Sequence, residues 1–346
     1  MKILFITRRI DQQDALAGFS FTWIKKLAER LEKLEVICLE VGDLTGLPAN
    51  CQVHSLGKEQ GASRWQRFWR FQKLARSLVP QVDGVLAHQN PEYSLAVAWW
   101  CKLRKKRLIA WYTHKAVTWR LRLMVAVVDK VISASAESFR LKTNKLTILH
   151  HGIDVDFFSF RPKPVSGQLK LVSVSRLSPT KNIETIIEVA AQLFEEDQAL
   201  GVDIYGAPAG QDGVKYLAKL QKMVADRQLG SVINFRGPAP YTQTPALYQQ
   251  SDLLVNCSQT GSLDKAVLEA MACGTLVLTT NEAFKNFFKT LPVDLYASDR
   301  PMLVSKIKTL AGLANRQTLQ SQLRQLIVKE HNLDDLLAKI IERFHA

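Results

Sequence analysis

Residues 170–193, KLVSVSRLSPTKNIETIIEVAAQL, contain an apolar strand, a polar loop and an amphipathic helix, in that order. The apolar residues after the loop recur at helical spacing and predict a helix over Ile183–Phe194. Arg176 follows the strand directly, and Lys181 lies beside the predicted helix start. Cations at a helix start are unfavourable against the helix dipole, but two of them at the end of a strand suit a diphosphate. The alternative is a loop that only faces solvent.

The same strand–loop–helix alternation extends through the chain on both sides of this stretch. The first half has predicted strands KILFIT, EVICLEV, GVLAH, LIAWYTH, VISAS and LTILH, separated by helices that include a short one before LTILH. The segment SFRPKPVSGQ (159–168) is rich in Pro, Ser and Gly, as linkers are, and the pattern restarts after it. We therefore predict an α/β protein with two Rossmann-like, doubly wound parallel-sheet domains, at residues 1–158 and 169–330. Ligands bind beyond the carboxyl ends of such strands, so the expected site is the cleft between the domains.

Composition narrows the class of protein further. The chain has 346 residues with a formal net charge of +14, and residues 1–160 hold 25 Lys and Arg against 14 Asp and Glu. Nucleic acid, an anionic membrane surface or an acidic substrate would each explain this charge, as would a basic surface that is merely solvated. The five cysteines are scattered and show no metal-ligand spacing. The N-terminal stretch MKILFITRR has too few apolar residues to be a signal peptide. We expect a cytoplasmic protein that needs no metal.

A second informative stretch is TGSLDKAVLEAMACGT, residues 260–275. It predicts a loop, then a helix with Ser262 as N-cap, and Gly274 as the residue that ends the helix. Helical spacing places Glu269 toward the expected cleft, where a carboxylate suits the vicinal hydroxyls of a ribose. The alternative is a structural i,i+4 ion pair between Glu269 and Lys265.

Residues 63–79, SRWQRFWRFQKLARSLV, interleave arginines with aromatic residues on a predicted helix, Arg64–Leu78. One interpretation is a helix that packs on the sheet and shows a basic outer face. The other is attachment to an anionic membrane surface, to which WCKLRKKR (100–107) would contribute further charge. A lipid-linked or anionic glycan acceptor would fit the same patch.

Three motifs, in this order, resemble the family-4 glycosyltransferases of the GT-B fold: HHGIDVDFF (150–158), SRLSPTKN (175–182) and LLVNCSQTG with LEAMACGTLVLTTN (253–281). The tail VKEHNLDDLLAKIIERF resembles the terminal helix that crosses back to the first domain in that fold, which predicts such a helix at residues 331–346. The resemblance implies a hexosyltransferase that moves a sugar from a nucleoside-diphosphate sugar to a glycan or lipid-linked acceptor, with retention of configuration. Nucleic acid is not an expected partner.

The resemblance also implies roles for particular residues. Arg176 and Lys181 would bind and stabilise the donor diphosphate, and Glu269 the ribose. The remaining donor-side residues would be Gly18, which lets the first loop approach the phosphates, Gly206 and Arg236 near the base, and Gly261, Ser262, Leu263 and Lys265 near the sugar or its phosphate. His88 and Asn90, in LAHQNPEY, and His114, in IAWYTHKAV, follow strands and would lie on the acceptor side. His114 would assist proton transfer, although a lone histidine is often structural.

One position departs from the family pattern. Family members usually have a glutamate where this chain has Gly261, eight residues before Glu269. From helical spacing, Asp264 does not replace that acid. Nucleotide binding is therefore expected, whereas the contacts to the donor sugar differ. Two rival hypotheses follow: a glycosyltransferase-like binding subunit that has lost turnover, and, from charge alone, a nucleic-acid-binding protein.

Overall fold

The computed structural model describes residues 1–15, 17–163 and 167–345, with the backbone alone at Thr290. The chain divides into two compact units, Met1–Gly152 with Leu333–Ala346, and Ile153–Asn332. Each unit is built on its own parallel sheet. The predicted α/β class with two doubly wound sheets is confirmed.

The first unit has a seven-stranded sheet in the order β3-β2-β1-β4-β5-β6-β7. Its elements are β1 (Lys2–Ile10), α1 (Gly18–Ala28), β2 (Lys33–Val41), β3 (Cys51–Ser55), α2 (Arg64–Leu78), β4 (Gly84–His88), α3 (Pro91–Leu103), β5 (Arg107–Trp111), α4 (Trp119–Val127), β6 (Lys130–Ser133), β7 (Leu146–Ile148) and the last helix, α11 (Leu333–His345). Its central strands are buried along almost their whole length, because helices cover both faces of the sheet.

The second unit has a five-stranded sheet in the order β10-β9-β8-β11-β12. Its elements are β8 (Leu169–Val174), α5 (Ile183–Glu195), β9 (Leu200–Tyr205), α6 (Gly210–Asp226), β10 (Ile233–Gly237), α7 (Thr244–Gln250), β11 (Leu253–Asn256), α8 (Lys265–Cys273), β12 (Leu276–Thr279), α9 (Arg300–Ala311) and α10 (Arg316–Glu330). The helix α8 is buried from Val267 to Cys273, and α10 packs against it.

The unit boundaries differ from the predicted domain boundaries. The chain first passes from one unit to the other after Gly152, and the predicted linker lies within the second unit. Ile153 pairs with Asn332, and its N–H donates to the carbonyl of His331 at 2.7 Å, so both crossings are held together at one place. Phe158, fully buried, stacks edge-on against Tyr241, which fixes this segment in the second unit.

Some local predictions were wrong or incomplete. Residues 134–145 form no helix, because the Ser135 hydroxyl bonds to the Ser138 N–H and hydroxyl and competes with helical backbone bonding. The edge strand β3 and the helices α9 and α10 were not predicted. The tail holds the end of α10 and then α11, whose apolar side packs with α1 and the first sheet.

Candidate functional site

The second sheet reverses its direction of growth between β8 and β11. These two strands are neighbours, but the chain proceeds from β8 to β9 on one side and from β11 to β12 on the other. Loops that leave such neighbouring strands diverge and open a crevice at their carboxyl ends, the usual ligand site in doubly wound sheets. Residues 175–182 leave β8 there, and residues 257–264 leave β11.

Lys181 joins these two loops. It ends the short turn Pro179–Lys181 just before α5. Its Nζ donates to Asp264 Oδ1 at 2.5 Å and to Ser258 Oγ at 3.2 Å. Both charged side chains keep 12% of their surface exposed, so the pair is accessible at its outer side. The predicted cation is thus at the crevice, next to an acid that sequence reasoning had set aside.

Asp264 is held on its second oxygen by Asn281, which follows β12. Asn281 Nδ2 donates to Asp264 Oδ2 at 3.0 Å and to the Ser262 carbonyl at 2.8 Å. Asp264, rather than the predicted Ser262, is the N-cap residue of α8. Its side chain makes no capping bond, because Lys181 and Asn281 occupy both oxygens. The only signal for Asn281 in the sequence is weak: it is a polar residue two positions after the buried strand LVLT.

The loop before α8 contains Gly261, where the sequence departs from the family pattern. Gly261 has a φ of +66°, in the left-handed region that disfavours side chains with a Cβ. Leu263, two residues on, is buried and anchors the loop to the core, while Ser262 is part-buried. A glutamate at 261 would therefore be strained in this backbone conformation.

Arg176 is exposed beside Leu177, whose N–H donates to the Ala207 carbonyl and joins the loops that follow β8 and β9. Gly206 is needed for this approach: a Cβ there would lie 1.7 Å from the Ser175 carbonyl oxygen. Arg236, at the end of β10, donates through Nε to Asp203 Oδ1 at 2.8 Å on the surface. Arg176 and Gly206 thus lie in adjoining loops, whereas Arg236 is bonded to the side chain of Asp203.

Glu269 is 7% exposed and accepts a hydrogen bond from the Tyr248 hydroxyl, at 3.1 Å from Oε2. Burial raises the pKa of Glu269 to about 7, against the opposing effect of the Lys265 charge. Burial likewise lowers the pKa of part-buried Lys265. The carboxyl group is thus more deeply placed than predicted, and Tyr248, on α7, is a partner that helical spacing alone could not indicate.

The first sheet has an equivalent reversal between β1 and β4, where two predicted residues lie. His88, at the end of β4, is 2% exposed, packs among the rings of Phe5, Phe19 and Trp23, and bonds through Nδ1 to the Thr7 hydroxyl at 3.2 Å. Gly18 is the buried first residue of α1. The burial of His88 gives it the surroundings of a core side chain.

The other two residues predicted for the acceptor side remain accessible. Asn90 is the N-cap residue of α3 and makes no side-chain capping bond. Its predecessor Gln89 has a φ of +73°, an uncommon strain that often accompanies functional loops. His114 is exposed after β5, and the Ala116 N–H donates to its Nδ1 at 3.1 Å. This loop bond occupies the Nδ1 lone pair.

Two further observations concern the described residues as a set. No group of three or more His, Cys, Asp or Glu side chains among them is arranged to hold a metal ion, and independence from a metal stays a prediction. None of the helices in the described ranges has the length and apolar character to cross a membrane.

Comparison with known proteins relates one region of the chain to a family of glycosyltransferases. Residues 154–286 match the family model of the Glycosyl transferases group 1. A D-inositol 3-phosphate glycosyltransferase of Frankia alni is 28% identical over 149 residues, which are 39% of this chain and 36% of the relative. The putative colanic acid biosynthesis glycosyltransferase WcaL of Escherichia coli is 29% identical over 143 residues, which are 39% of this chain and 34% of the relative. The chain thus spans about a third of the length of these curated relatives.

Solved structures match over the whole chain. HepE of Anabaena, in complex with UDP and glucose, has a TM-score of 0.79 at 17% identity and covers 100% of both chains. Sucrose-phosphate synthase of Thermosynechococcus elongatus has a TM-score of 0.76 at 16% identity, covering 100% of this chain and 98% of the other. Two doubly wound sheets and these likenesses define the GT-B fold. The chain has the GT-B fold, and its residues 154–286 match the Glycosyl transferases group 1.

Proposed function

We propose that the protein transfers a sugar from a nucleoside-diphosphate sugar to a glycan or lipid-linked acceptor. The observation that carries this proposal is Lys181 at the β8–β11 reversal, where it contacts Ser258 and Asp264. A cation in a crevice at the ends of two parallel strands is suited to phosphate oxygens. Arg176, in the same loop, supplies a second charge, and Glu269 is the acid for the ribose.

The proposed reaction breaks the bond between the anomeric carbon and the donor phosphate oxygen. The bonding electrons leave with the nucleoside diphosphate, and the acceptor hydroxyl oxygen bonds to the anomeric carbon while its proton is lost. Arg176 and Lys181 stabilise the negative charge that develops on the departing diphosphate. His114 is the proposed group that takes the acceptor's proton, at Nδ1, which must first release the Ala116 N–H. Retention of configuration belongs to the proposal as well.

On the acceptor side, we propose that the first unit works at the inner face of an anionic membrane. The helix α2 buries Phe71, Ala75 and Leu78 but leaves Trp65 74% and Trp69 66% exposed. The buried side of the helix packs into the first unit, and the exposed side is the one that we propose contacts the membrane. Aromatic side chains among arginines suit the interfacial zone of a membrane, where each basic residue contributes about 1 kcal/mol.

Calorimetry with nucleoside diphosphates tests the donor site, beginning with UDP because HepE was solved with it. Arg176→Ala and Lys181→Ala should each weaken binding by roughly ten- to a hundredfold, because each removes a charge-assisted hydrogen bond to phosphate. Lys222→Ala is the matched control, since it removes the same charge from an exposed i,i+4 pair on α6. Equal affinity in all three variants would refute the donor site.

The second candidate is a binding subunit with weakened turnover. Two observations favour it: the left-handed conformation at Gly261, which disfavours the family's acid, and the ion pair that occupies Lys181. Incubation of the purified protein with a nucleotide sugar decides between the two. Tight nucleotide binding without hydrolysis of the donor or transfer would support the subunit.

A further inference from the structure

The first unit contains a cavity of about 570 Å³ between α2 and α3. Its lining includes none of the proposed donor-side residues, all but one of which belong to the second unit. Leu39, Phe68, Phe71 and Tyr93 contribute apolar surface to its lining, and Arg64 and Arg67 contribute charge. Nothing in the donor proposal accounts for this cavity.

The two helices are braced where they meet. Trp100 Nε1, on α3, donates to Gln72 Oε1, on α2, at 2.8 Å. Gln72 Nε2 in turn donates to the Ala96 carbonyl at 3.2 Å. Phe71 is 4% exposed and belongs to the hydrophobic core beneath. The cavity is thus bounded by elements that are held in place by hydrogen bonds and packing.

One buried polar group of the lining has no partner. Tyr93 is 8% exposed, and its hydroxyl makes no hydrogen bond within normal distance among the described residues. Its nearest polar neighbour is the side chain of Asn90, the N-cap residue of α3, which also lines the cavity and interacts weakly with the hydroxyl. Burial raises the pKa of Tyr93 to about 12, so the hydroxyl remains protonated and able to donate at neutral pH. A buried hydroxyl without a partner is unfavourable unless a ligand or water satisfies it.

The charge of the lining is positive. Arg64 is exposed and Arg67 is part-buried, and both lie on the first turns of α2. The one acid of the lining, Glu92, forms an ion pair with Arg120 at 3.3 Å, so its charge is already balanced. An occupant should therefore carry a negative group near the arginines and an apolar portion against the aromatic walls.

We propose that this cavity binds an alkyl or isoprenoid phosphate, with the phosphate on Arg64, Arg67 and the Tyr93 hydroxyl and the hydrocarbon against Leu39, Phe68 and Phe71. The proposal rests on the proposed function in one respect: the ligand would be the lipid-linked end of the acceptor. A free glycan has no apolar portion for these walls, so the cavity selects the lipid-linked class of acceptor.

Calorimetry on the full chain tests the cavity with dodecyl phosphate below its critical micelle concentration. Inorganic phosphate and the neutral dodecyl maltoside are the comparison ligands, because each has only one of the two required features. Dodecyl phosphate should bind at least tenfold more tightly than either. The double variant Arg64→Gln with Arg67→Gln should lose at least tenfold in affinity, because it removes two positive charges beside the phosphate. Tyr93→Phe should lose roughly tenfold, because it removes a donor to a charged acceptor.

Arg76→Gln, on the same helix but outside the lining, is the matched control and should bind normally. The proposal is overturned if dodecyl phosphate fails to bind, if dodecyl maltoside binds equally well, or if the control loses as much affinity as the double variant. UDP affinity of the same variants, which should be unchanged, separates this outcome from failure of the donor site. If the unmodified protein does not bind UDP, the donor site is refuted, whereas the result for the cavity is unaffected.

Discussion

At the scale of single residues, the pairing of Lys181 with Asp264 affects how Lys181 could bind the phosphate of the proposed donor. Its ammonium group already has a carboxylate partner 2.5 Å away before a nucleotide arrives. An incoming diphosphate must compete with, or share, that partner. Asp264 therefore sets the position of Lys181 and moderates its charge. The sequence comparison at residue 261 did not indicate this role for Asp264.

Glu269 leads to a pH prediction. Burial raises the pKa of Glu269 to about 7 and lowers the pKa of Lys265 to about 7, so this pair loses protons as pH rises through neutrality. The carboxylate accepts stronger hydrogen bonds from ribose hydroxyls than the neutral acid, so UDP affinity should rise about fivefold between pH 6 and 8. Calorimetry across this range measures the effect.

The comparison variants are chosen because other groups titrate nearby. The nucleotide phosphate ionises in this range, and the Lys265 charge faces Glu269 together with the Tyr248 hydroxyl. A Lys265→Met background removes the lysine, and adding Glu269→Gln to it should leave only the pH dependence of the nucleotide phosphate. If both proteins keep the same pH dependence, Glu269 is not the titrating group.

His114 is expected to act in transfer rather than in nucleotide binding, because the donor cations lie in the other unit. His114→Asn keeps a side-chain acceptor for the Ala116 N–H but removes the ring, so it preserves the loop bond. We expect its transfer rate to fall by about a hundredfold or more with little change in UDP affinity. Unchanged turnover would make His114 a structural residue of the loop.

At the scale of elements, the loop that leads into α8 depends on glycine. With a φ of +66°, Gly261 should tolerate alanine poorly, at a cost of roughly 1–2 kcal/mol in the free energy of unfolding. Thermal unfolding should then shift down by about 2–4 °C for each kcal/mol. Gly230→Ala is the control, because its position is outside the left-handed region and has open space for a Cβ. Equal stability of the two variants would contradict the prediction.

The left-handed backbone at residue 261 also predicts what happens when the glutamate of the family pattern is restored there. Gly261→Glu carries a Cβ in the left-handed region and should be destabilised like Gly261→Ala. We do not expect it to improve donor binding in this backbone, because Asp264 already occupies Lys181 and Asn281.

At the scale of the whole molecule, the charge asymmetry predicts where the protein attaches to lipid. The first 160 residues hold 25 Lys and Arg against 14 Asp and Glu, and Trp65, Trp69 and Trp99 are exposed among them. The protein should sediment with anionic vesicles and dissociate as salt screens the charges. Changing Arg64, Arg67 and Arg70 to Glu should reduce the bound fraction strongly.

The control reverses the same number of charges in the second unit, at Lys215, Lys219 and Lys222 on α6, all exposed. It should retain binding, because the second unit is not expected to contact lipid. Equal loss in both triple variants would indicate an effect of net charge alone, and equal retention would exclude α2 as the attachment site.

The sequence by itself determined the α/β class, the two sheets, most strands and helices, and the loop positions of Arg176 and Lys181. These follow from hydrophobic periodicity and turn residues, which act between near neighbours in the chain. The end of α8 at Gly274 was also predictable, and Gly274 has the expected left-handed conformation, with a φ of +84°. Local rules therefore located the elements and the loops that hold the candidate site.

Only the tertiary structure decided which side chains meet. Lys181 and Asp264 are 83 residues apart in the chain, and Glu269 lies 21 residues from Tyr248, so no local spacing could pair them. The order of strands brings the loops after β8 and β11 together, and the packing of α7 on α8 buries Glu269. His88 is enclosed by rings from β1 and α1 for the same reason. Contacts of this kind depend on how distant elements pack, which periodicity along one segment does not specify.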